Sequence, residues 1–298
     1  MKKIFFTCIV LIAIFCQVLD AKMPLKKVKT WGYWLQAPNI VTIANCPYDL
    51  LVIDYSFDGT DAKAFTPYHI DLLHSSGKHI LSYFSIGEAE SYRFYWNKKW
   101  KAGTPDFLGP ENSDWPGNFK VKYWDSQWWD RALKPYLNRI VSAGFDGVYL
   151  DIVDAYYYWS QNGYPVQQCA DRMIALIEMI RTYVNGKQKR NFTICPQNAL
   201  GIIEDASPSA KHRYLKAIDA IGVESLFFNY WSIDDQKYRM SCIQQFHQFQ
   251  KKIFNVEYLK KEQWKGYKEQ LNQLSFPIIG YAANEDRALK DLIIDFRQ

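Results

Sequence analysis

Phe145-Asp146-Gly147-Val148-Tyr149-Leu150-Asp151-Ile152-Val153-Asp154-Ala155-Tyr156-Tyr157-Tyr158-Trp159 is the stretch on which the reading of the fold turns. Gly147 to Leu150 reads as a short, apolar, buried strand that ends on Asp151. A second acid, Asp154, and a run of aromatic residues follow at once. A carboxylate at the end of an apolar strand, with aromatic rings beside it, is what a sugar-cleaving site in a barrel needs. The plainer reading is that Asp151 caps the next segment or pairs with a nearby cation. The rest of the chain decides between them.

Working outward, strand-like and helix-like segments alternate through residues 30–298 with no repeat, low-complexity tract or linker between them. The strand-like segments are Thr30–Leu35, Leu50–Ser56, His79–Ile86, Gly147–Asp151, Phe192–Pro196, Ala220–Glu224, Ile253–Glu257 and Pro277–Tyr281. Helical patterns cover Pro67–Ser76, Gln127–Ala143, Gln168–Val184, Ser209–Ala217, Asp235–Gln250, Lys260–Leu274 and Arg287–Phe296, with a single turn near Ile40–Asn45. Leu137, Ile140 and Val141 recur at helical spacing, as do Met173, Leu176, Ile177 and Ile180. Ser207-Pro208 marks a helix start and Gly144 a helix stop. Eight strands alternating with helices predict an α/β fold, a single (β/α)8 TIM barrel. A doubly wound sheet is the alternative, but it wants a glycine-rich phosphate loop after its first strand, and Gly32-Tyr33-Trp34-Leu35-Gln36 is not one. A long loop after the third strand, Glu88 to Asp125, is rich in Trp, Gly, Pro and Asn, as a segment roofing a site would be.

The 298 residues carry 48% hydrophobic and 22% charged side chains, which suits a globular protein and excludes a disordered one. Aromatic content of 17%, with 11 Trp and 21 Tyr, leaves rings to spare for a cleft. Lys2 and Lys3 followed by the apolar run Ile4 to Cys16 predict an export signal over residues 1–21, too short for a comfortable membrane span. Its removal takes away two Lys and one Asp and leaves +4 of the formal +5. Lys22, Lys26, Lys27 and Lys29, in a basic arm over residues 22–29, account for that excess. The folded body is then near neutral, which argues against a nucleic-acid partner. The expected location is secreted or periplasmic, with no stable membrane insertion once the signal is gone. Cys46, Cys169, Cys195 and Cys242 remain, widely spaced and without a CxxC pair, so a zinc or iron–sulfur site is not expected. They form one or two disulfides or stay as buried thiols.

In a barrel of this kind the site lies at the C-terminal ends of the strands. Those ends carry Asp54; Glu88 and Glu90; Asp151 and Asp154; Gln197 and Asn198; Glu224; Glu257; and Tyr281. Clustered carboxylates repel one another unless a cation or a shared proton relieves them. Two carboxylates are the minimum for glycoside hydrolysis: one protonates the leaving oxygen, the other attacks the sugar or activates water. Asp151 and Glu224 end strands four and six, across one barrel mouth. Histidines 69, 74, 79, 212 and 247 sit away from that rim, so no metal and no cofactor are expected, although an all-oxygen calcium or magnesium site stays open. No Gly-x-Ser-x-Gly elbow and no Cys/His pairing support acyl transfer.

Longer motifs carry a resemblance. Ser85-Ile86-Gly87-Glu88-Ala89-Glu90-Ser91-Tyr92-Arg93, Gly109-Pro110-Glu111-Asn112 with Trp115-Pro116-Gly117-Asn118, Val121-Lys122-Tyr123-Trp124-Asp125, and Ala143 to Asp151 together resemble glycoside hydrolase family 114, the barrel-type endo-α-1,4-polygalactosaminidases and their relatives. The resemblance runs from about Trp31 to the C-terminus. It implies that Asp151 is the nucleophile and Glu224 the general acid/base, that configuration is retained, and that the substrate is an α-1,4-linked galactosamine-containing polysaccharide, partly N-acetylated. A retaining reaction needs Glu224 protonated in its first step, so its pKa is expected to be raised. Free amino sugars carry ammonium groups, for which Asp54, Glu88, Asp154 and Glu257 are candidate partners. Tyr33, Tyr83, Tyr92, Trp96, Trp115, Tyr156 and Tyr230 are candidate stacking faces, each with core or loop packing as its other reading. Gln197 joins the substrate-binding set. Arg93 either orients a catalytic carboxylate or pairs with Glu90. A catalytically silent carbohydrate-binding barrel with the same acidic cleft is the alternative to the enzyme.

Overall fold

The computed structural model describes residues 22–187 and 192–296; the expected export segment 1–21 lies outside them. Eight strands form the barrel: β1 Trp31–Trp34, β2 Leu50–Ile53, β3 His79–Ser85, β4 Gly147–Asp151, β5 Thr193–Pro196, β6 Ala220–Glu224, β7 Lys252–Tyr258 and β8 Ile279–Ala283. Parallel ladders run unbroken through β1-β2-β3-β4-β5 and through β6-β7-β8. Across the β5/β6 seam the Asp219 N–H donates to Ile194 O at 2.9 Å and the Asn198 N–H to Gly222 O at 2.8 Å. β8 meets β1 through side chains, with the rings of Trp31 and Tyr281 edge-on at 6.0 Å.

The period of two along each strand decides what enters the barrel. Trp31 and Tyr33 of β1 face Tyr149 of β4, with ring centres 6.1 and 5.2 Å from it. Phe254 of β7 packs on Trp31 at 5.2 Å. Tyr149 therefore points to the axis, and so does Asp151 two residues on. Gly147 begins β4 because no side chain fits there: a Cβ would overlap the Thr193 carbonyl and lie 2.8 Å from Leu81 Cδ2.

The helices match the sequence pattern with two differences. The run expected over Gln127–Ala143 is continuous, Ser126–Trp128 and Lys134–Ala143, but widens into a π turn over Trp129–Leu133. The wide turn sits just before Pro135, which has no N–H to return to the preceding turn. The helix expected over Arg287–Phe296 does not form. Arg287 and Leu289 take left-handed φ values of 56° and 48°, which no right-handed helix admits. Their segment instead lies across the β1/β8 side of the barrel. Leu289 O accepts the N–H groups of Leu35 and Gln36, and Lys290 O accepts Trp34 Nε1 at 2.9 Å. The Tyr48 hydroxyl, buried, donates to Phe296 O at 2.7 Å and also to Ile293 O.

Residues 22–29 pack on the barrel floor, opposite the site. Lys22 Nζ lies 3.1 Å from Asp146 Oδ1, whose other oxygen holds His74 Nε2 at 2.9 Å, and Met23 O receives His79 Nδ1 at 2.7 Å. Cys46, Cys169, Cys195 and Cys242 are buried free thiols, so the disulfide reading is set aside. The long loop after β3 is a small antiparallel sheet of Glu88–Glu90, Asn118–Val121 and Leu108–Glu111, which roofs one side of the strand ends.

Tyr48→Phe should lower unfolding stability by about 1–3 kcal/mol, because it strips buried carbonyls of their donor. A shifted urea midpoint at constant slope would show this; an unchanged midpoint would mean that the hydroxyl does not hold the C-terminal segment.

Candidate active site

The C-terminal strand ends open into a cavity of about 730 Å³. β4 brings Asp151 to it and β6 brings Glu224. Asp151 Oδ2 accepts the Tyr83 hydroxyl at 2.7 Å, and Oδ1 accepts the Ile152 N–H at 2.8 Å. Glu224 Oε2 accepts Asn198 Nδ2 at 2.8 Å, and Oε1 accepts the Tyr258 hydroxyl. Asn198 Oδ1 in turn receives the Glu224 N–H at 3.0 Å. Arg239 holds the turn behind Glu224 by donating to the carbonyls of Glu224 at 2.5 Å and Ser225 at 2.9 Å. Each acid is thus fixed by neutral donors, and among the described residues no Lys or Arg forms an ion pair with either. The chain leaves three of these strand ends through left-handed residues, Ile152, Asn198 and Ser225, with φ of 57°, 56° and 50°. Such backbone costs energy and is tolerated where the surroundings require it.

Burial pushes Asp151 up to about 7; the Glu224 charge adds to the rise, and the Tyr83 hydroxyl and Ile152 N–H oppose it. Asp151 faces the barrel axis among tyrosines, and it holds its proton up to near neutrality.

The remaining acids divide by what already holds them. Asp54 and Glu90 are both taken by Arg93, which contacts Asp54 Oδ1 at 2.9 Å, Asp54 Oδ2 at 2.7 Å and Glu90 Oε2 at 2.8 Å. Arg93 is also enclosed by the rings of Tyr92 and Tyr136, at 4.8 and 5.2 Å. It braces the wall of the cavity and makes no bond to Asp151 or Glu224. Glu88 pairs with Lys120 and accepts Asn112 Nδ2 at 2.9 Å through Oε1, while its buried Oε2 has no partner. Asp154 is exposed in the cavity wall. Glu257 does not reach the cavity. β7 runs one residue past it, so Tyr258 takes the rim position and Glu257 points to the opposite face. There it is fully buried and accepts the N–H groups of Leu226 at 2.6 Å, Phe227 at 2.9 Å and Phe228 at 3.2 Å.

Of the aromatic candidates, Tyr33, Tyr83, Tyr92 and Trp115 line the cavity. Tyr33 and Tyr83 are buried and act through their hydroxyls, Tyr33 donating to Gln197 Oε1 at 3.2 Å. Tyr92 and Trp115 are 50% and 59% exposed and offer ring faces at the mouth, joined by Phe57 at 43%. Tyr156 is buried beneath, its hydroxyl on Asp205 Oδ2 at 2.9 Å, and Tyr230 does not line the cavity. Trp96 packs on Phe119 and Trp100 inside the roof. Tyr258, Arg239 and Arg287 were not on the list from sequence. The phase Phe254, Val256, Tyr258 on β7 is the signal that finds the first; the other two sit on elements whose sequence shows only helix.

The model of glycoside-hydrolase family GH114 matches residues 16–286. The chain belongs to this family. An uncharacterised protein of Methanocaldococcus jannaschii is 42% identical over 200 residues, which is 67% of this chain and 56% of that protein. One of Thermotoga maritima is 39% identical over 175 residues, 58% of this chain and 54% of the other. The chain thus spans little more than half the length of these relatives. Among solved structures, the glycoside hydrolase domain of PelA from Pseudomonas aeruginosa superposes with a TM-score of 0.66 at 13% identity, covering 91% of this chain and 100% of the other. Ega3 of Aspergillus fumigatus, solved in complex with galactosamine, superposes at 0.64 with 19% identity, covering 87% and 92%. At these identities the likeness shows a shared barrel fold, and the GH114 chain places its own acids at the rim.

Glu257→Ala should cost about 3–5 kcal/mol of stability, since it leaves the backbone donors after β6 buried and unpaired. Calorimetry would read this as a lower melting temperature, and an unchanged one would contradict the anchoring role.

Proposed function

We propose that this GH114 chain is an exported endo-acting glycoside hydrolase. It cleaves α-1,4-linked galactosamine-containing polysaccharide, with Asp151 as nucleophile and Glu224 as general acid/base. One observation carries the reading: Asp151 and Glu224, at the ends of β4 and β6, line one cavity and are held there by hydroxyl and amide donors alone. A carboxylate kept for structure is neutralised, as Asp54, Glu88 and Glu90 are. A retaining glycosidase needs two carboxyls left without a cation, one to attack and one to pass a proton, and neither can do so while paired with one.

In the first step Asp151 attacks the anomeric carbon while Glu224 protonates the leaving oxygen. A glycosyl ester forms on Asp151, and the shortened chain departs. Glu224, now ionised, takes a proton from water, which attacks the ester and frees the sugar with its configuration retained. Tyr83 keeps Asp151 aimed, and Asn198, Tyr258 and Arg239 fix Glu224. Trp115, Tyr92 and Phe57 supply ring faces for the polymer. The unpartnered Glu88 Oε2 and the exposed Asp154 are the acids left to receive ammonium groups. Asp54 is spent on Arg93 and Glu257 on backbone, so the ammonium partners reduce from the four expected to two. Export through residues 1–21 fits an extended polymer that meets its enzyme outside the cell, and sequencing the N-terminus of secreted protein tests it.

Asp151→Asn and Glu224→Gln should each lower kcat by about 10²–10⁴-fold or more while the fold and polymer binding persist. A reducing-end assay together with a pull-down on polymer measures both. Near-normal turnover in either variant would remove that residue from the chemistry, and polymer binding with no wild-type turnover would favour the silent binding barrel.

The pH dependence follows from Asp151. It attacks only as a carboxylate, and burial raises its carboxyl to about 7. kcat/KM should therefore rise as pH rises through about 7. Tyr83→Phe removes a donor that favours the carboxylate, so the rise should move to higher pH. A flat profile between about pH 5 and 8 would contradict this role of the Asp151 carboxyl.

A further inference from the structure

A second hollow, of about 390 Å³, lies on the other side of Glu224. Glu224, Asp154, Asn198 and Arg287 line both hollows, whereas Asp151 lines only the large one. This division gives the bound polymer a direction. A nucleophile must reach the anomeric carbon of the sugar being cut, and a general acid must reach the oxygen of the sugar that leaves. The attacked sugar therefore belongs in the large cavity, beside both acids. The leaving sugar belongs beyond Glu224, in the second hollow.

The cations that line the hollows differ in what already holds them. Arg93, in the large cavity, is spent on Asp54 and Glu90. Arg239, in the second hollow, is spent on two carbonyls and on Asp235 at 3.8 Å. Arg287 is different: among the described residues it forms no ion pair. Its guanidinium lies 4.8 Å from the centre of the Tyr258 ring, and one Nη donates to Ser225 Oγ at 3.2 Å. Tyr258 is the same residue whose hydroxyl holds Glu224. Arg287 is thus fixed from behind, one side chain away from the general acid, with donors to spare at the edge of the hollow. A guanidinium has no acceptor. It repels an ammonium group and bonds a carbonyl. On a partly acetylated amino-sugar polymer, the acetamide is the neutral substituent that offers one.

From this geometry we infer that the hollow beyond Glu224 is the leaving-sugar subsite and that it selects an N-acetylated residue, Arg287 donating to the acetamide oxygen. The inference rests on the glycosidase reading above and adds the polarity and the acetylation pattern of the cut. Bonds whose reducing-side residue is acetylated are cleaved in preference to bonds whose reducing-side residue is a free amine.

Digestion of a partly acetylated α-1,4-galactosamine polymer of known composition tests it, with the new non-reducing ends identified by mass spectrometry. With the wild-type chain the ratio of acetylated to free-amine residues at those ends should exceed the same ratio in the polymer by about tenfold or more, the scale of one charge-assisted hydrogen bond. Arg287→Gln should bring the ratio to the average, and Arg287→Glu should turn it toward the free amine. Wild-type ends at the average would overturn the subsite while leaving the glycosidase standing, as would acetyl-rich ends from Arg287→Glu. No new ends from the wild-type chain would defeat the glycosidase reading and the subsite with it. The wild-type ratio needs no variant, so the inference stays exposed even where a substitution fails to fold.

Discussion

Two carboxyl groups that line one cavity, with no Lys or Arg paired to either among the described residues, are the constraint that the rest of this rim is arranged around. Such groups destabilise the fold unless they keep a proton or gain donors. Here Tyr83 and the Ile152 N–H hold Asp151, Tyr258 and Asn198 hold Glu224, and burial raises the Asp151 carboxyl to about 7. The cations near the rim are kept occupied. Arg93 is locked between Asp54 and Glu90, Lys120 serves Glu88, and Arg239 serves backbone carbonyls. Were any of them free to reach Asp151, its carboxyl would no longer be held above the usual carboxylate range.

The support for that pair is aromatic. Trp31, Tyr33 and Tyr149 meet inside the barrel beneath the acids, and Phe254 and Tyr281 close the ring around Trp31. Large, stiff side chains fill the interior without polar atoms that need water, apart from hydroxyls that can reach the rim. Tyr33 uses its hydroxyl on Gln197, and Tyr83 and Tyr258 use theirs on the acids. The tyrosine-rich composition is therefore spent on holding the site as well as on its mouth.

All eight barrel strands and the roof were legible because apolar runs of strand length, bounded by helix patterns, leave few other readings. Asp151 and Glu224 were legible because each ends its run in phase with the inward residues. Glu257 misled for the converse reason. Strand ends in sequence are uncertain by a residue or two, and in a strand one residue exchanges inside for outside. Moving the end of β7 from Glu257 to Tyr258 turns a supposed ligand into a backbone anchor and brings an unlisted hydroxyl onto Glu224. Arg287–Phe296 misled differently. Its apolar spacing is helical, but its carbonyls are claimed by Trp34, Tyr48 and the chain after β1, partners far away in sequence.

Counting acids at strand ends overstated the charge of the cleft, and the structure shows why the count is the wrong quantity. What a substrate meets is the set of carboxyl oxygens with no partner. Arg93 removes those of Asp54 and Glu90, Lys120 and Asn112 take one oxygen of Glu88, and backbone takes Glu257. What remains is a small set: Glu88 Oε2, Asp58 and Asp154 on the wall, and at the centre Asp151 and Glu224, whose partners are neutral donors. Arg287 lines the same two hollows as Asp154; it is the guanidinium at this rim without a carboxylate partner among the described residues, fixed on Tyr258 and on Ser225. An acidic rim would attract a cationic polymer anywhere along its length. A rim whose nucleophile lines one hollow only, and whose unspent arginine is held by Ser225 of the other, distinguishes the two sides of the bond to be cut, and that asymmetry is what turns general attraction into a register for the chain.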